Sequence, residues 1–230
     1  MIGTFVVALI NPTRSLCLGG FVTLSDKLNA DSPFSRVKLL KSSAVVYAAM
    51  GFVGFEICWW YHLNLPVLFS IEGVDWFLSL RIAVMATAFL LLGQLCLEEF
   101  VPSYRRLKGT FAKIFRNLRS VDVVFLAFVS SVGEELLFRG AIQPFLGVWL
   151  TSVIFALLHM DPEGKFSVWT LWAFIAGLVM GYSVEITQHL WAAILIHFCV
   201  NLISIFRINR VHAMHRESAQ SAATISEPKT

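Results

Sequence analysis

The sequence predicts an all-α, polytopic membrane bundle of about six transmembrane helices, with further interfacial helices at the N-terminus and in one loop. Three observations carry that expectation. Of the 230 residues, 57% are hydrophobic and 14% charged, and mean hydropathy is +0.72, more apolar than a soluble domain of this length requires. The apolar residues gather into long runs, without the ~10-residue alternating segments of a membrane β-barrel. One of those runs, VDVVFLAFVSSVGEELLFRG, carries Glu134, Glu135 and Arg139. A charge at membrane depth costs a few kcal/mol or more unless it faces a protein interior or a wet cavity, so such groups mark function.

Residues 1–43 open with an apolar stretch broken by Asn11, Pro12, Thr13 and Arg14. A signal peptide places its positive charge ahead of the apolar core. Here Arg14 follows it, and an interfacial or re-entrant segment is expected instead. Six spans follow, at about 44–62, 76–98, 121–140, 146–160, 167–186 and 190–206. The first two, with a basic loop, make up region 44–117. The other four make up a core, 118–206. The tail, 207–230, is basic and then Ser/Ala-rich, and is expected to be disordered.

Placement of charge orients the bundle. Arg36, Lys38 and Lys41 precede span one, Arg105, Arg106, Lys108, Lys113, Arg116 and Arg119 fill the loop after span two, and Arg207, Arg210 and Arg216 follow span six. Glu72 and Asp75 lie in a loop without Lys or Arg. Both termini and the basic loop are therefore expected to be cytoplasmic. The stretch FAKIFRNLRS within that loop has the pattern of an amphipathic helix on anionic headgroups. Trp59, Trp60, Trp76, Trp169 and Trp191 fall near span ends, as interfacial aromatics do. Cys17, Cys58, Cys96 and Cys199 are scattered without a C-x-x-C and read as buried small hydrophobes. Arg81, inside span two, has Glu56 as its acidic candidate, and Gln94 has no assigned partner. No nucleic-acid partner is expected; the partners are the bilayer and whatever substrate reaches the site from it.

The polar residues of the core form a pattern. Glu135 and Arg139 are i and i+4, share a helix face and can neutralise each other. Glu134 is turned by ~100° from Glu135 and has no partner at helical spacing. Phe155 and His159 are i and i+4 on the fourth span, as are His197 and Asn201 on the sixth. A buried ion pair without chemistry is the plain alternative for Glu135 and Arg139, and a satisfied core residue is the plain alternative for either histidine. Two histidines and a free carboxylate on three different spans weigh against it.

A carboxylate and imidazoles in a wet pocket activate water, and donors aimed at a developing oxyanion stabilise the intermediate. Together they suit a peptide-bond hydrolase that uses water directly. No H-E-x-x-H, no G-x-S-x-G and no pair of membrane aspartates occurs. A zinc ion, if one were bound, would take Glu134, His159 and His197, although no local ligand spacing demands it; the expected catalytic site contains no certain cofactor.

The core also resembles a family. Glu134-Glu135-Leu136-Leu137-Phe138-Arg139 looks like the E-E-x-x-x-R motif of the CPBP family, which contains the type II CAAX prenyl endopeptidases and the bacteriocin-processing and immunity (ABI) proteins. Phe155 to His159 matches its F-x-x-x-H motif and His197 to Asn201 its H-x-x-x-N motif, in the expected order. The resemblance covers about residues 118–206. It implies that Glu134 is the general base, helped by His159, that His197 and Asn201 form the oxyanion site, and that Glu135 and Arg139 orient the site and contact substrate. The family carries both a metalloprotease label and a metal-free glutamate mechanism, and the residues here lean to the second. It further implies a membrane-tethered or lipidated peptide substrate and a bacterial inner-membrane location. The competing classes are a non-catalytic immunity or scaffold protein that keeps the shape of the site, and a proton-coupled transporter, which would show inverted repeats and broken helices. One tension stands in these boundaries: His159 falls near the cytoplasmic end of its span, while Glu134 lies ~20 Å along its own.

Overall fold

A computed structural model describes residues 36–63, 69–115, 118–161 and 165–226, with side chains described as far as Arg210. The N-terminal segment expected to be interfacial lies outside the described residues up to 35. Within the described residues the chain is helical and contains no strand. The helices are α1 (Arg36–Trp60), α2 (Trp76–Phe100), α3 (Pro102–Ile114), α4 (Ser120–Glu135), continued by a π-helical segment (Leu136–Ile142), α5 (Gln143–Leu157), α6 (Val168–Thr187) and α7 (Trp191–Ser226).

Four segments are long and apolar enough to cross a membrane: Arg36–Trp60, Trp76–Phe100, Val168–Thr187 and Trp191–Arg210. Their outward faces are apolar, with Phe52, Trp59, Phe77, Val84, Met85 and Phe89 all exposed. A bundle with its large apolar side chains outside and its charges inside suits lipid as solvent. The protein is an integral membrane protein.

Apart from the loop helix α3, the remaining helical stretches, α4 with its π segment and α5, form a hairpin. α4, its π segment and the first residues of α5 run on to Gly147, where φ is 70° and ψ is 172°. That backbone region belongs almost solely to glycine, and it turns the chain back on itself. Phe138 before the turn and Phe155 after it stack edge to face at 5.1 Å. The sequence predicts an end to the third span at 140. The helix instead continues through the π segment, so the turn lies deeper in the sequence than expected.

Close backbone approaches hold the bundle. A Cβ on Gly54 of α1 would sit 3.0 Å from the backbone of Leu137, and one on Gly133 of α4 would sit 2.6 Å from the carbonyl oxygen of Tyr47 on α1. Gly177 and Gly181 of α6 meet Ser152 and Val148 of α5 in the same way. Small residues at such crossings let membrane helices pack without a hydrophobic driving force. On the side facing the π segment, the carbonyl of Gly177 accepts from Arg139 Nη2 at 3.1 Å and that of Gly181 from Gln143 Nε2 at 3.2 Å. Two contacts that step by the same interval along both elements make the π segment and α6 parallel.

Several details depart from the sequence expectation. α1 already includes Arg36, ahead of residue 44, and Arg36 forms an ion pair with buried Asp122 at the start of α4, with Nη2 donating to Oδ1 at 2.6 Å. Asp122 also accepts the Arg119 backbone N–H at 2.8 Å, closing the first turn of α4. The amphipathic helix of the basic loop is Pro102–Ile114, one turn or more earlier than FAKIFRNLRS, since Pro102 starts it at a first-turn position that needs no N–H. Helix α7 continues to Ser226 instead of ending in a disordered tail at 207. The tail holds four Ala and three Arg, good helix formers, and neither Gly nor Pro before Pro228. Trp169, in the first turn of α6, is buried against Phe111 and Tyr104. Cys96 is exposed, although Cys58 is buried, and the described cysteines are free. Arg81 sits over the ring of Phe77 at 5.4 Å, and no ion pair joins it to Glu56 among the described residues. Gln94 accepts a hydrogen bond from Ser204 at 2.8 Å.

Candidate active site

Glu134, Glu135, Arg139, His159, His197 and Asn201 are all buried and converge from α4, its π segment, the end of α5 and α7. The hairpin explains the convergence. Gly147 lies midway in sequence between Glu134 and His159, so both stand roughly 20 Å from the turn at 1.5 Å per residue. Their side chains meet at 3.7 Å, Nε2 to Oε2. His159 is therefore not displaced toward one end of the bundle relative to Glu134.

The pair Glu135–Arg139 forms as its spacing requires, Nη1 to Oε1 at 3.2 Å. The same Oε1 accepts from His197 Nδ1 at 2.7 Å. A carboxylate cannot donate, so Nδ1 carries the proton of that bond. In His159, Nδ1 lies 2.7 Å from the carbonyl oxygen of Phe155, and a carbonyl likewise only accepts. Both imidazoles thus keep their protons on Nδ1 and turn Nε2 toward Glu134, where His197 Nε2 stands 3.8 Å from Oε2. Phe155 packs against both imidazoles and the guanidinium: the His159 ring lies over it at 4.3 Å, the His197 ring meets it edge-on at 6.3 Å, and Arg139 lies 4.6 Å from its centroid.

Three atoms therefore converge, Glu134 Oε2, His159 Nε2 and His197 Nε2, the last presenting a lone pair when its ring is neutral and an N–H when it is imidazolium. Glu134 Oε2 and His197 Nε2 have no hydrogen-bond partner among the described residues although both are buried. Buried polar atoms are ordinarily satisfied, so this cluster is built to meet a proton donor such as water. The donor types also suit zinc. As arranged, however, no set of three or more His, Cys, Asp or Glu among the described residues could hold a metal ion.

Two contacts to the site carry no signal in the motifs. The Tyr47 hydroxyl of α1, itself buried, hydrogen-bonds the Glu134 carboxylate. It is held there by the close approach of α1 to Gly133. Asn201 Nδ2 donates to Ser130 Oγ at 2.9 Å. Tyr47 is an isolated tyrosine in an apolar run, and Ser130 is one of two adjacent serines. Their contacts to Glu134 and Asn201 follow from no helical spacing, and only the tertiary structure reveals them.

Residues 116–203 match the family described as type II CAAX prenyl endopeptidase Rce1-like. A relative in Bacillus subtilis (strain 168), named uncharacterized protein YpbD, is 27% identical over 144 residues, covering 60% of this chain and 75% of its own. No solved structure matches the chain. Residues 116–203 carry all three polar motifs in order on helices that bring them together, and over that segment the chain is similar to the Rce1-like type II CAAX prenyl endopeptidases.

Proposed function

We propose that the protein is an intramembrane endopeptidase that hydrolyses a peptide bond of a membrane-tethered substrate, with a prenylated CAAX-type C-terminus as the class favoured by the family description. The observation that carries the reading is the convergence of Glu134, His159 and His197 on one buried point. Glu134 takes a proton from water as the water oxygen bonds to the scissile carbonyl carbon, and His159 Nε2 accepts the second water hydrogen and orients the attack. The carbonyl π electrons move onto oxygen, and this oxyanion is met by Asn201 Nδ2–H and His197 Nε2–H. Since His197 Nδ1 already donates to Glu135, Nε2 donates only as imidazolium. Glu135 is then its counter-ion, and with Arg139 and Glu134 the four groups sum to zero net charge, as a buried site requires. Collapse of the intermediate breaks the C–N bond, and Glu134 returns its proton to the leaving amine.

Charge placement supports cytoplasmic termini and a cytoplasmic α3 in a bacterial inner membrane, so that a C-terminally lipidated substrate reaches the site from the cytoplasmic leaflet. The test is cleavage of a farnesylated CAAX peptide, beside a panel of other membrane-tethered peptides, by protein purified in detergent. Glu134→Gln keeps the shape of the site and removes the base. It is expected to lower kcat by about 10²–10⁴-fold, while a chelator leaves the wild type active. Equal cleavage by both proteins would remove Glu134 from the reaction. Loss of wild-type activity to chelator, restored by zinc, would replace the metal-free mechanism.

A further inference from the structure

Ser130 lies one turn ahead of Glu134 on α4 and belongs to none of the three motifs. It is fully buried, and its hydroxyl stands in a directional chain. Asn201 Nδ2 donates to Ser130 Oγ at 2.9 Å, and Ser130 Oγ donates to the carbonyl oxygen of Ala127 at 3.2 Å. A carbonyl has no hydrogen to give, so the hydroxyl proton is committed to Ala127. Ser130 then faces Asn201 only as an acceptor, which dictates which end of the amide lies against it. A flipped amide would set Oδ1 against a lone pair in a buried place, at a cost of about 1–3 kcal/mol.

Asn201 Oδ1 is buried and has no partner among the described residues, so the bond to Ser130 is what anchors the amide among the described side chains. A primary amide carries two N–H donors. With one bound to Ser130, the second remains for another acceptor, on the helical stripe that Asn201 shares with His197.

We propose that Ser130 is a positioning residue that fixes the amide of Asn201 so that its second Nδ2–H points at the carbonyl oxygen of the scissile bond. Its catalytic consequence rests on the hydrolytic reading above. Its structural part, one amide orientation held by one hydroxyl, does not.

The experiment compares wild type, Ser130→Ala, Ser130→Thr, Asn201→Ala and the Ser130→Ala/Asn201→Ala pair on the farnesylated peptide. Ser130→Ala is expected to lower kcat about tenfold, the worth of one oriented hydrogen bond, with KM unchanged. Ser130→Thr restores it, and Ser130→Ala adds no loss to Asn201→Ala. Should Ser130→Ala not fold, Ser130→Cys, which fills the same space with a weak acceptor, takes its place. Full kcat in the folded variant, or the same loss with and without Asn201, would overturn the proposal. A second measurement is independent of cleavage: the Asn201 side-chain signal in protein labelled with 15N-asparagine, assigned by its disappearance in Asn201→Ala. The wild type is expected to show one downfield Nδ2 proton and a rigid amide, both lost in Ser130→Ala. An unchanged signal would overturn the proposal whatever the activity. A wild type that cuts nothing yet shows the signal change would overturn the hydrolytic reading alone.

Discussion

Glu135 Oε1 lies 2.7 Å from His197 Nδ1 and 3.2 Å from Arg139 Nη1, so a single carboxylate oxygen joins the first and third motifs. Glu135 is fully buried and so is its partner arginine. Removing one member of a buried ion pair leaves an uncompensated charge, which costs about 3–5 kcal/mol. Glu135→Gln is therefore expected to lower the apparent Tm in detergent and to abolish cleavage. The double variant Glu135→Gln/Arg139→Met removes the stranded charge and should recover much of the Tm without recovering activity, as read by thermal melting and peptide cleavage side by side. Recovery of both would show that the pair serves stability alone.

At Gly147 the backbone itself is the requirement. A Cβ there would meet nothing within 4 Å, but φ of 70° is unfavourable for any L side chain. Gly147→Ala is expected to cost about 1–3 kcal/mol and to reduce kcat by loosening the hairpin that sets His159 against Glu134. Thermal melting with steady-state kinetics checks it, and an unaffected melt would mean that the turn relaxes freely.

Tyr47 reaches Glu134 from a helix outside the matched segment. Tyr47→Phe keeps the ring and the backbone approach to Gly133 and deletes only the hydroxyl. A drop of roughly tenfold in kcat is expected, with KM and Tm unchanged, as for the loss of one charge-assisted hydrogen bond. The same substitution made in Glu134→Gln should change nothing further. A loss of equal size in that background would place the hydroxyl's effect elsewhere.

Helices α2 and α6 meet at Gly93, where a Cβ would lie 2.2 Å from the Trp172 ring. Gly93→Ala is expected to destabilise by about 1–3 kcal/mol through overpacking. Adding Trp172→Phe, which withdraws the clashing ring edge, should restore most of the melt. If it does not, the two helices separate rather than repack.

The sequence was most legible where the interacting residues lie within one helix. The i, i+4 spacing of Glu135 and Arg139 foretells their ion pair, and that of Phe155 and His159 foretells the stacked ring and the bond to the Phe155 carbonyl. Long apolar runs gave the helices, because membrane depth sets their length. What was hidden depends on tertiary contact or on backbone conformation. Tyr47 and Ser130 act on residues of other helices, for which no local period exists. The π segment departs from the 3.6-residue repeat on which helical patterns rest. Gly147 reads as one more glycine in an apolar run, where glycine is common, although its φ turns the chain. The placement of His159 followed from that turn, and the boundary at 140 obscured it.

The shared carboxylate oxygen of Glu135 also bears on how the site is born. During synthesis α4 and its π segment enter the bilayer with Glu135 and Arg139 already neutralising each other within one helix, so the pair needs no later helix for its charge balance. Glu134 has no such companion on its own segment. His159 reaches it only after the hairpin closes, and His197 and Asn201 only after α7 is made. On the hydrolytic reading proposed above, the base therefore stays without its imidazole partners until the hairpin closes and α7 docks.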